Sequence, residues 1–181
     1  PEAFEILTNK PTWKKSVRLL STGPMIARKP TMEIRKVDGG LLVQDKDASN
    51  ENLSSARSVT KKKLTPLELD DLKFAWVVCK HVKSNAIVIV KDGKLLGTGA
   101  GQMSRVDAVQ NALKKAGENA RGAVLASDAF FPFRDGVDEA AKAGIIAIVQ
   151  PGGSMRDADA IASCDENGIS MIFSGFRHFR H

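Results

Sequence analysis

The sequence has few cysteines and no long hydrophobic run. Its two cysteines, Cys79 and Cys164, lie far apart in helix-like segments, so we expect two buried free thiols in a reducing compartment. Neither belongs to a paired Cys or Cys/His motif, which argues against a zinc site. No apolar run reaches the length of a membrane span, and no signal peptide is visible. We therefore expect a cytoplasmic protein with no metal and no membrane partner.

The excess of positive charge lies in the first third of the chain. The 181 residues carry a net charge of +6, and residues 1–63 hold 13 Lys and Arg against 7 Asp and Glu. Lys61–Lys63 and Lys14–Arg18 are basic runs, but no aromatic residues alternate with them and no nucleic-acid motif surrounds them. We expect solvated charge or a phosphate-bearing small ligand nearby. A nucleic-acid-binding module is the alternative, and it would show a steep salt dependence of binding.

The chain divides by pattern into residues 1–63 and residues 64–181. The first part has strand-like runs at Val17–Leu20, Met32–Val37 and Leu41–Val43, and a hairpin signal at Asp38–Gly40. Its end, residues 45–63, is polar and turn-rich without periodicity. We interpret residues 1–63 as connecting strands followed by a polar linker or extended arm.

Helices and strands alternate after residue 63. Thr65, Pro66 and Glu68 form a capping box that predicts a helix start. Ala86–Val90 is an apolar strand, and Asp92–Gly93 turns it into a second strand. That second strand is expected at 95–99. Further strands are expected at 124–126, 145–149 and 169–173, and helices at 137–143 and 155–167. The alternation predicts an α/β fold with a mainly parallel sheet covered on both faces and an antiparallel edge hairpin.

The loop Ser127–Asp135 concentrates aromatic and charged residues. It follows a short apolar strand and holds Phe130, Phe131 and Phe133 around Pro132, which interrupts any regular pattern. Ligands of α/β sheets bind at the carboxyl ends of the strands. The aromatics either stack on a flat heterocycle or form a hydrophobic plug over the sheet edge.

Two glycine-rich loops precede helix starts. Residues 97–102 lead to Ser104–Arg105, and free N–H groups at a helix start attract anions. Arg105 opposes the helix dipole there, which favours an external anionic partner. Residues 151–154 repeat the arrangement, with an expected cap at Ser154 and Asp157. Because strand ends gather in such a sheet, we expect loops 83–85, 99–105, 127–135 and 151–154 to converge on one edge.

Four long segments resemble, in order, one family of bifunctional purine-biosynthesis enzymes, AICAR transformylase/IMP cyclohydrolase. The segments are Lys80–Val88, Gly99–Val106, Ser127–Asp135 and Arg177–His181. They look like the C-terminal half of the family's transformylase region, and the match covers roughly residues 60–181. The resemblance implies a cytidine-deaminase-like three-layer sandwich, duplicated within that region, of which this chain supplies the second copy.

The resemblance also implies an activity and its site residues. The family's transformylase moves a formyl group from 10-formyltetrahydrofolate to the 5-amino group of AICAR ribonucleotide. By motif, the AICAR ribonucleotide contacts would come from Asn85 at the carboxamide, Arg105, Phe130 and Pro132 at the pocket, and Arg177 at the phosphate. The folate side would be bordered by Val106, Phe133, Asp135 and Ser154. Asn85 has an alternative reading as a turn cap.

The family's catalytic Lys–His pair is not found in this sequence. That pair lies in a Lys-His-Val-Ser-Pro-Ala-Gly motif of the first half, whereas Lys80–His81 is followed by Lys83–Ser84–Asn85, which marks the second copy. The resemblance therefore implies a fragment that is inactive alone, needs the N-terminal half of the same enzyme, and belongs to a homodimer in the parent enzyme. A stand-alone AICAR- or folate-binding homologue without catalysis is the alternative.

Overall fold

Residues 2–9, 16–24, 32–49 and 51–180 are described in a computed structural model of the chain. They belong to two units, Pro1–Lys46 and Asp47–His181. Within the described residues, none of the helices combines the length and the apolar character that a membrane span needs.

The described residues of the first unit form one helix and one hairpin. Helix α1 spans Glu2–Asn9, and strands β1 (Met32–Val37) and β2 (Gly40–Asp45) pair antiparallel. The predicted hairpin is confirmed, and Gly39 takes a φ of +80° in its turn, which suits glycine. The strand predicted at Val17–Leu20 is wrong, because these residues have no regular structure and no described segment pairs with them.

The second unit is a three-layer α/β sandwich, which confirms the expected fold class. Its helices are α2 (Pro66–His81), α3 (Arg105–Ala116), α4 (Asp135–Lys142) and α5 (Asp157–Glu166). Its strands are β3 (Arg57–Ser58), β4 (Ile87–Lys91), β5 (Lys94–Gly99), β6 (Val124–Ser127), β7 (Ala147–Gln150) and β8 (Ser170–Phe173). Short 3-10 helices occupy Leu53–Ser55 and Gly117–Ala120.

The sheet has the order β3-β8-β7-β6-β4-β5. Strands β6, β7 and β8 are parallel neighbours, whereas β4 is antiparallel to both β5 and β6. Four strands, β5 to β8, thus run in one direction. The hairpin β4–β5 forms the expected antiparallel edge, and β3 adds a second antiparallel edge on β8 that the sequence did not signal.

The alternation of strand side chains divides the core into two layers. On one face, Val88 and Val90 of β4 pack with Leu72 and Trp76 of α2. On the other face, strand residues such as Ile89 pack beneath α3, α4 and α5. Helix α2 begins where the sequence predicted, because the hydroxyl of Thr65 accepts from the Glu68 N–H and the Glu68 carboxylate accepts from the Thr65 N–H.

Both cysteines are buried free thiols, as expected. Cys79 belongs to the layer beneath α2, and Cys164 of α5 to the opposite layer. Burial raises the pKa of Cys79 well above its usual range and raises the pKa of Cys164 to about 12. Both groups are therefore neutral thiols near pH 7.

Gly97 and Gly99 let helix α3 lie directly on strand β5. A Cβ atom at Gly97 would stand 2.2 Å from the carbonyl oxygen of Ala112, and one at Gly99 would stand 1.9 Å from that of Ala108. These two glycines of the predicted anion loop therefore have a packing role. Only Gly101, with a φ of +66°, lies in the loop that leads to α3.

Residues 51–63 belong to the second unit and pack against its core although their sequence has no periodicity. Leu53 is buried against the α2 layer, β3 joins the sheet, and the Thr60 hydroxyl accepts from the Met171 N–H at 2.8 Å. The predicted domain boundary between residues 63 and 64, which separates the connecting segment from the second copy of the family's fold, stays a prediction.

Candidate functional site

The four predicted loops meet at one edge of the sheet. In the register, Ile87 at the start of β4 lies beside Gly99 at the end of β5 and Ser127 at the end of β6. Loop 151–154 follows β7, where the Gly175 N–H donates to the Pro151 carbonyl at 3.1 Å. The carboxyl ends of β5, β6, β7 and β8 therefore surround one region, as expected for this fold.

A cleft of about 490 Å³ opens at this edge. Eight of the nine predicted site residues line it: Asn85, Arg105, Val106, Phe130, Pro132, Phe133, Asp135 and Arg177. The remaining lining residues are Met103, Ser104, Ala129 and Phe179. The cleft thus draws its walls from four separated segments of the sequence.

The guanidinium of Arg105 is buried and paired inside the protein. Its Nη1 bonds the Asp128 carboxylate and donates to the Ala86 carbonyl at 3.2 Å, and its Nη2 donates to Asn85 Oδ1 at 2.9 Å. The anionic partner that the sequence placed outside the protein is therefore Asp128. The Arg105 Nε–H has no acceptor among the described residues. Arg105 thus brings no net charge to the cleft, because Asp128 neutralises it.

Asn85 links Arg105 to the loop before α3. Its amide nitrogen donates to the carbonyls of Gln102 at 2.9 Å and Met103 at 3.3 Å, while its oxygen accepts from Arg105. Both ends of the side chain are thus occupied within the protein. One lone pair on Oδ1 stays available for a ligand N–H, because an amide oxygen accepts two hydrogen bonds.

The aromatic loop divides its phenylalanines between the core and the cleft, and stacking on a flat heterocycle stays a prediction. Phe131 is fully buried in the core beneath α3 and α4, and it acts as the hydrophobic plug. Phe130 and Phe133 instead line the cleft. Arg177 lies over the Phe130 ring at 4.8 Å, and Arg156 lies over the Phe133 ring at 5.0 Å.

Arg177 supplies the unneutralised positive charge of the cleft. Its side chain is exposed at the rim, and no ion pair involves it in the part of the chain that the structure describes. The pair formed by Arg105 and Asp128 is neutral overall. An anionic group that enters the cleft therefore meets its main electrostatic attraction at Arg177.

Ser154 is outside the cleft, and its predicted capping role is wrong. Helix α5 begins after Arg156, which makes no side-chain cap bond. The Ser154 hydroxyl accepts instead from the Arg156 N–H at 3.1 Å, and the Asp157 carboxylate accepts from the Gly153 N–H at 2.7 Å. These bonds close a turn ahead of the helix, so the helix starts later than the pattern indicated.

Two buried residues behind the cleft were not among the predicted site residues. Asp128 bonds Arg105, the Ala86 N–H at 3.1 Å and the Ser84 hydroxyl. His178 is 2% exposed, and its N–H donates to the Asp128 carbonyl at 3.0 Å. Aspartate is seldom buried, so burial of Asp128 was not foreseeable from residue type.

Acid–base groups and metal ligands are sparse at this site. His178 is turned away into the protein and His81 lies at the end of α2, so neither described histidine lines the cleft. Across the described ranges, no group of three or more His, Cys, Asp or Glu could hold a metal ion.

Comparison with known proteins identifies the family of this chain. The family model described as AICARFT/IMPCHase bienzyme matches residues 1–115. The bifunctional purine biosynthesis protein PurH of Rhodopirellula baltica is 50% identical over 179 residues, which is 99% of this chain and 34% of that protein. PurH of Anoxybacillus flavithermus is 52% identical over 180 residues, again 99% of this chain and 34% of that protein. The chain belongs to the AICARFT/IMPCHase bienzyme family.

The chain spans about a third of the length of the curated relatives it matches. Among solved structures, a crystal form of Acinetobacter baumannii RibD aligns with a TM-score of 0.40 and 21% identity, over 59% of this chain and 34% of that one. The family assignment rests on the sequence matches.

Proposed function

We propose that this chain is the part of an AICAR transformylase that binds AICAR ribonucleotide and borders the site of 10-formyltetrahydrofolate. The observation that carries the proposal is the convergence of Asn85, Arg105, Phe130 and Arg177 on one cleft from four separate segments. Their chemistry matches a flat heterocycle that bears a carboxamide and a phosphate.

Each group of AICAR ribonucleotide has a counterpart in the cleft. Arg177 is the cation for the phosphate, and it is presented on the face of Phe130. Phe130 and Pro132 offer apolar surface to the imidazole ring. Asn85 Oδ1, which is fixed by Arg105, is suited to an N–H of the carboxamide.

Phe133 and Asp135, which we assign to the folate side, lie at the C-terminal end of the loop that also holds Phe130. Val106, Phe133 and Asp135 line the cleft next to the AICAR residues. Ser154 is outside the cleft, but Arg156, whose N–H donates to its hydroxyl, lies over Phe133. We assign Ser154 to the border of the folate site through this contact, rather than to its wall.

The acid–base chemistry belongs to another part of the enzyme in this proposal. The amine of AICAR is a poor nucleophile, so formyl transfer needs a proton acceptor close to it. The chain supplies binding and orientation, and the N-terminal half of the transformylase supplies the Lys–His pair. We place the parent enzyme in the cytoplasm as a homodimer with a second activity, IMP cyclohydrolase.

The test is the binding of AICAR ribonucleotide to the 181-residue chain, measured by calorimetry. Arg177→Ala removes a charged contact to the phosphate, so we expect affinity to fall by about 1.5–3 kcal/mol. Arg57→Ala is the matched control, because Arg57 also lies over a phenylalanine, Phe173 at 5.4 Å, outside the cleft. Absence of binding to the native chain, or equal affinity of both variants, would contradict the proposal.

A further inference from the structure

The C-terminal tail, residues 174–180, presents alternate side chains to opposite sides. Arg177 and Phe179 line the cleft, whereas His178 between them is buried. Such alternation is a property of extended chain, in which neighbouring side chains point in opposite directions. Holding His178 inward therefore directs Arg177 towards the cleft.

His178 is held by Asp47 and Glu51, which lie close together in the chain, and by Trp76 of helix α2. We call these four residues the His178 clasp. The ring Nδ1 lies 2.6 Å from Asp47 Oδ2, and the ring centroid lies 4.6 Å from that of Trp76. Nε2 lies 3.3 Å from Glu51 Oε2, which also accepts from the Trp76 indole N–H at 3.1 Å. A carboxylate only accepts, so Nδ1 carries the proton between His178 and Asp47.

The backbone around the clasp is fixed as well. The backbone N–H of His178 donates to the backbone carbonyl of Asp128. The Arg180 N–H donates to the Ser84 hydroxyl at 3.1 Å, and the Ser84 N–H donates to the Arg180 carbonyl at 2.8 Å. The tail is thus bonded on one side to the residues that fix Arg105. The Arg177 guanidinium lies over the Phe130 ring, and a Cβ atom on Gly153 would stand 3.5 Å from its Nη2.

We propose that His178 is a positioning residue for Arg177: its hydrogen bond to Asp47 and its packing on Trp76 hold the Arg177 guanidinium over Phe130. The inference rests on the proposed function for the identity of the ligand. The positioning itself is a property of the unliganded chain. It has a readout that needs no ligand.

The first arm of the test measures the position of Arg177 by NMR. Stacking on Phe130 shifts the side-chain resonances of Arg177 through the ring current, and Phe130→Leu supplies the unshifted reference. Asp47→Ala removes the acceptor that holds the His178 ring and leaves no buried cavity, since the Asp47 side chain is 37% exposed. We expect Asp47→Ala and His178→Leu to move the Arg177 resonances most of the way to the reference.

Two further variants separate positioning from general destabilisation. His178→Asn keeps an N–H close to the place of Nδ1, so we expect it to retain most of the native shift. Phe176→Ala changes an exposed tail residue outside the clasp and the cleft, and it should leave the shift unchanged. Native Arg177 shifts in both Asp47→Ala and His178→Leu would overturn the inference, whatever the ligand result.

The second arm measures the affinity for AICAR ribonucleotide in a double-mutant cycle. Asp47→Ala should weaken binding about tenfold in the native background and have no further effect when Arg177→Ala is present, because the two act through one contact. Additive losses would overturn the inference. Lack of binding by the native chain would overturn the proposed function alone, since the NMR arm decides the positioning without ligand.

Discussion

Arg105 and Asp128 form an ion pair from which solvent is excluded on both sides. The side chains are 5% and 0% exposed, and Asp128 also accepts hydrogen bonds from the Ala86 N–H and the Ser84 hydroxyl. A buried pair of this kind adds little net stability compared with apolar residues, but it is costly to break. The pair joins the start of α3, the start of β4 and the loop after β6.

Asp128→Asn should therefore destabilise the second unit strongly. The Arg105 charge would remain buried without a counterion, and the expected loss in free energy of unfolding is about 3–5 kcal/mol. Urea unfolding followed by circular dichroism measures it. Glu166→Gln is the control, because it breaks the exposed ion pair with Arg134 and should change stability little. Similar small effects of the two variants would refute the structural role of the buried pair.

Gly99→Ala should also destabilise the second unit. The added Cβ would meet the Ala108 carbonyl oxygen of α3, and neither backbone can move without separating helix from strand. Overpacking of this kind costs about 1–3 kcal/mol. Gly40→Ala is the matched substitution at an open position with ordinary φ, and it should be neutral in the same thermal melt. Equal melting temperatures for the two variants would show that α3 does not depend on close approach.

The His178 clasp should open at acid pH, below the ordinary pKa of its carboxyl groups. Burial works against ionisation of Asp47 and Glu51, but hydrogen bonds from Ser49 and from His178 or Trp76 outweigh it, and Lys80 adds attraction at Asp47. The pKa of each carboxyl is consequently lowered. A lowered folded-state pKa gives stability that is present above the ordinary value, about 4, and is lost as pH falls through the folded value.

The Trp76 indole N–H, which donates to Glu51, reports this titration in NMR spectra. The Glu51 titration should shift this resonance with a midpoint below the ordinary glutamate value of about 4.3. Glu51→Gln should abolish the titration while the protein stays folded. A midpoint above the ordinary glutamate value would mean that burial, and not the hydrogen bonds, dominates at Glu51.

The sequence predicted the elements with clear local signals. The capping box at Thr65 and the turn at Asp92–Gly93 determine their own geometry from neighbouring residues, so their positions could be read directly. The start of α5 could not, because the bonds of Ser154 and Asp157 close a turn that has the same residues as a cap. Strand β3 was also missed, since two residues without alternation carry no pattern.

The lining of the candidate cleft and the convergence of its loops were predictable from the sequence, but the side-chain pairs behind the cleft were not. Motif resemblance identified eight residues that line the cleft, but not that Asp128 neutralises Arg105. Long-range pairs of this kind depend on how distant segments meet, and no local pattern records them. The contact of His178 with Asp47, 131 residues earlier in the chain, was invisible for the same reason.

We expect the 181-residue chain alone to catalyse formyl transfer only at background rate. A general base must come within hydrogen-bond reach of the AICAR amine, and neither described histidine lines the cleft. His178 is engaged with Asp47, and His81 lies at the end of α2. Loss of acid–base assistance alone lowers rates by about 10²–10⁴.

The assay supplies AICAR ribonucleotide and 10-formyltetrahydrofolate, with an active full-length member of the family as positive control. Addition of the N-terminal half of the transformylase as a separate chain should restore part of the rate, because it returns the acid–base pair and the rest of the cleft. His81→Asn should leave the restored rate unchanged. Family-like turnover by the chain alone, abolished by His81→Asn, would instead make His81 the base and would require the loop before β4 to move it into the cleft.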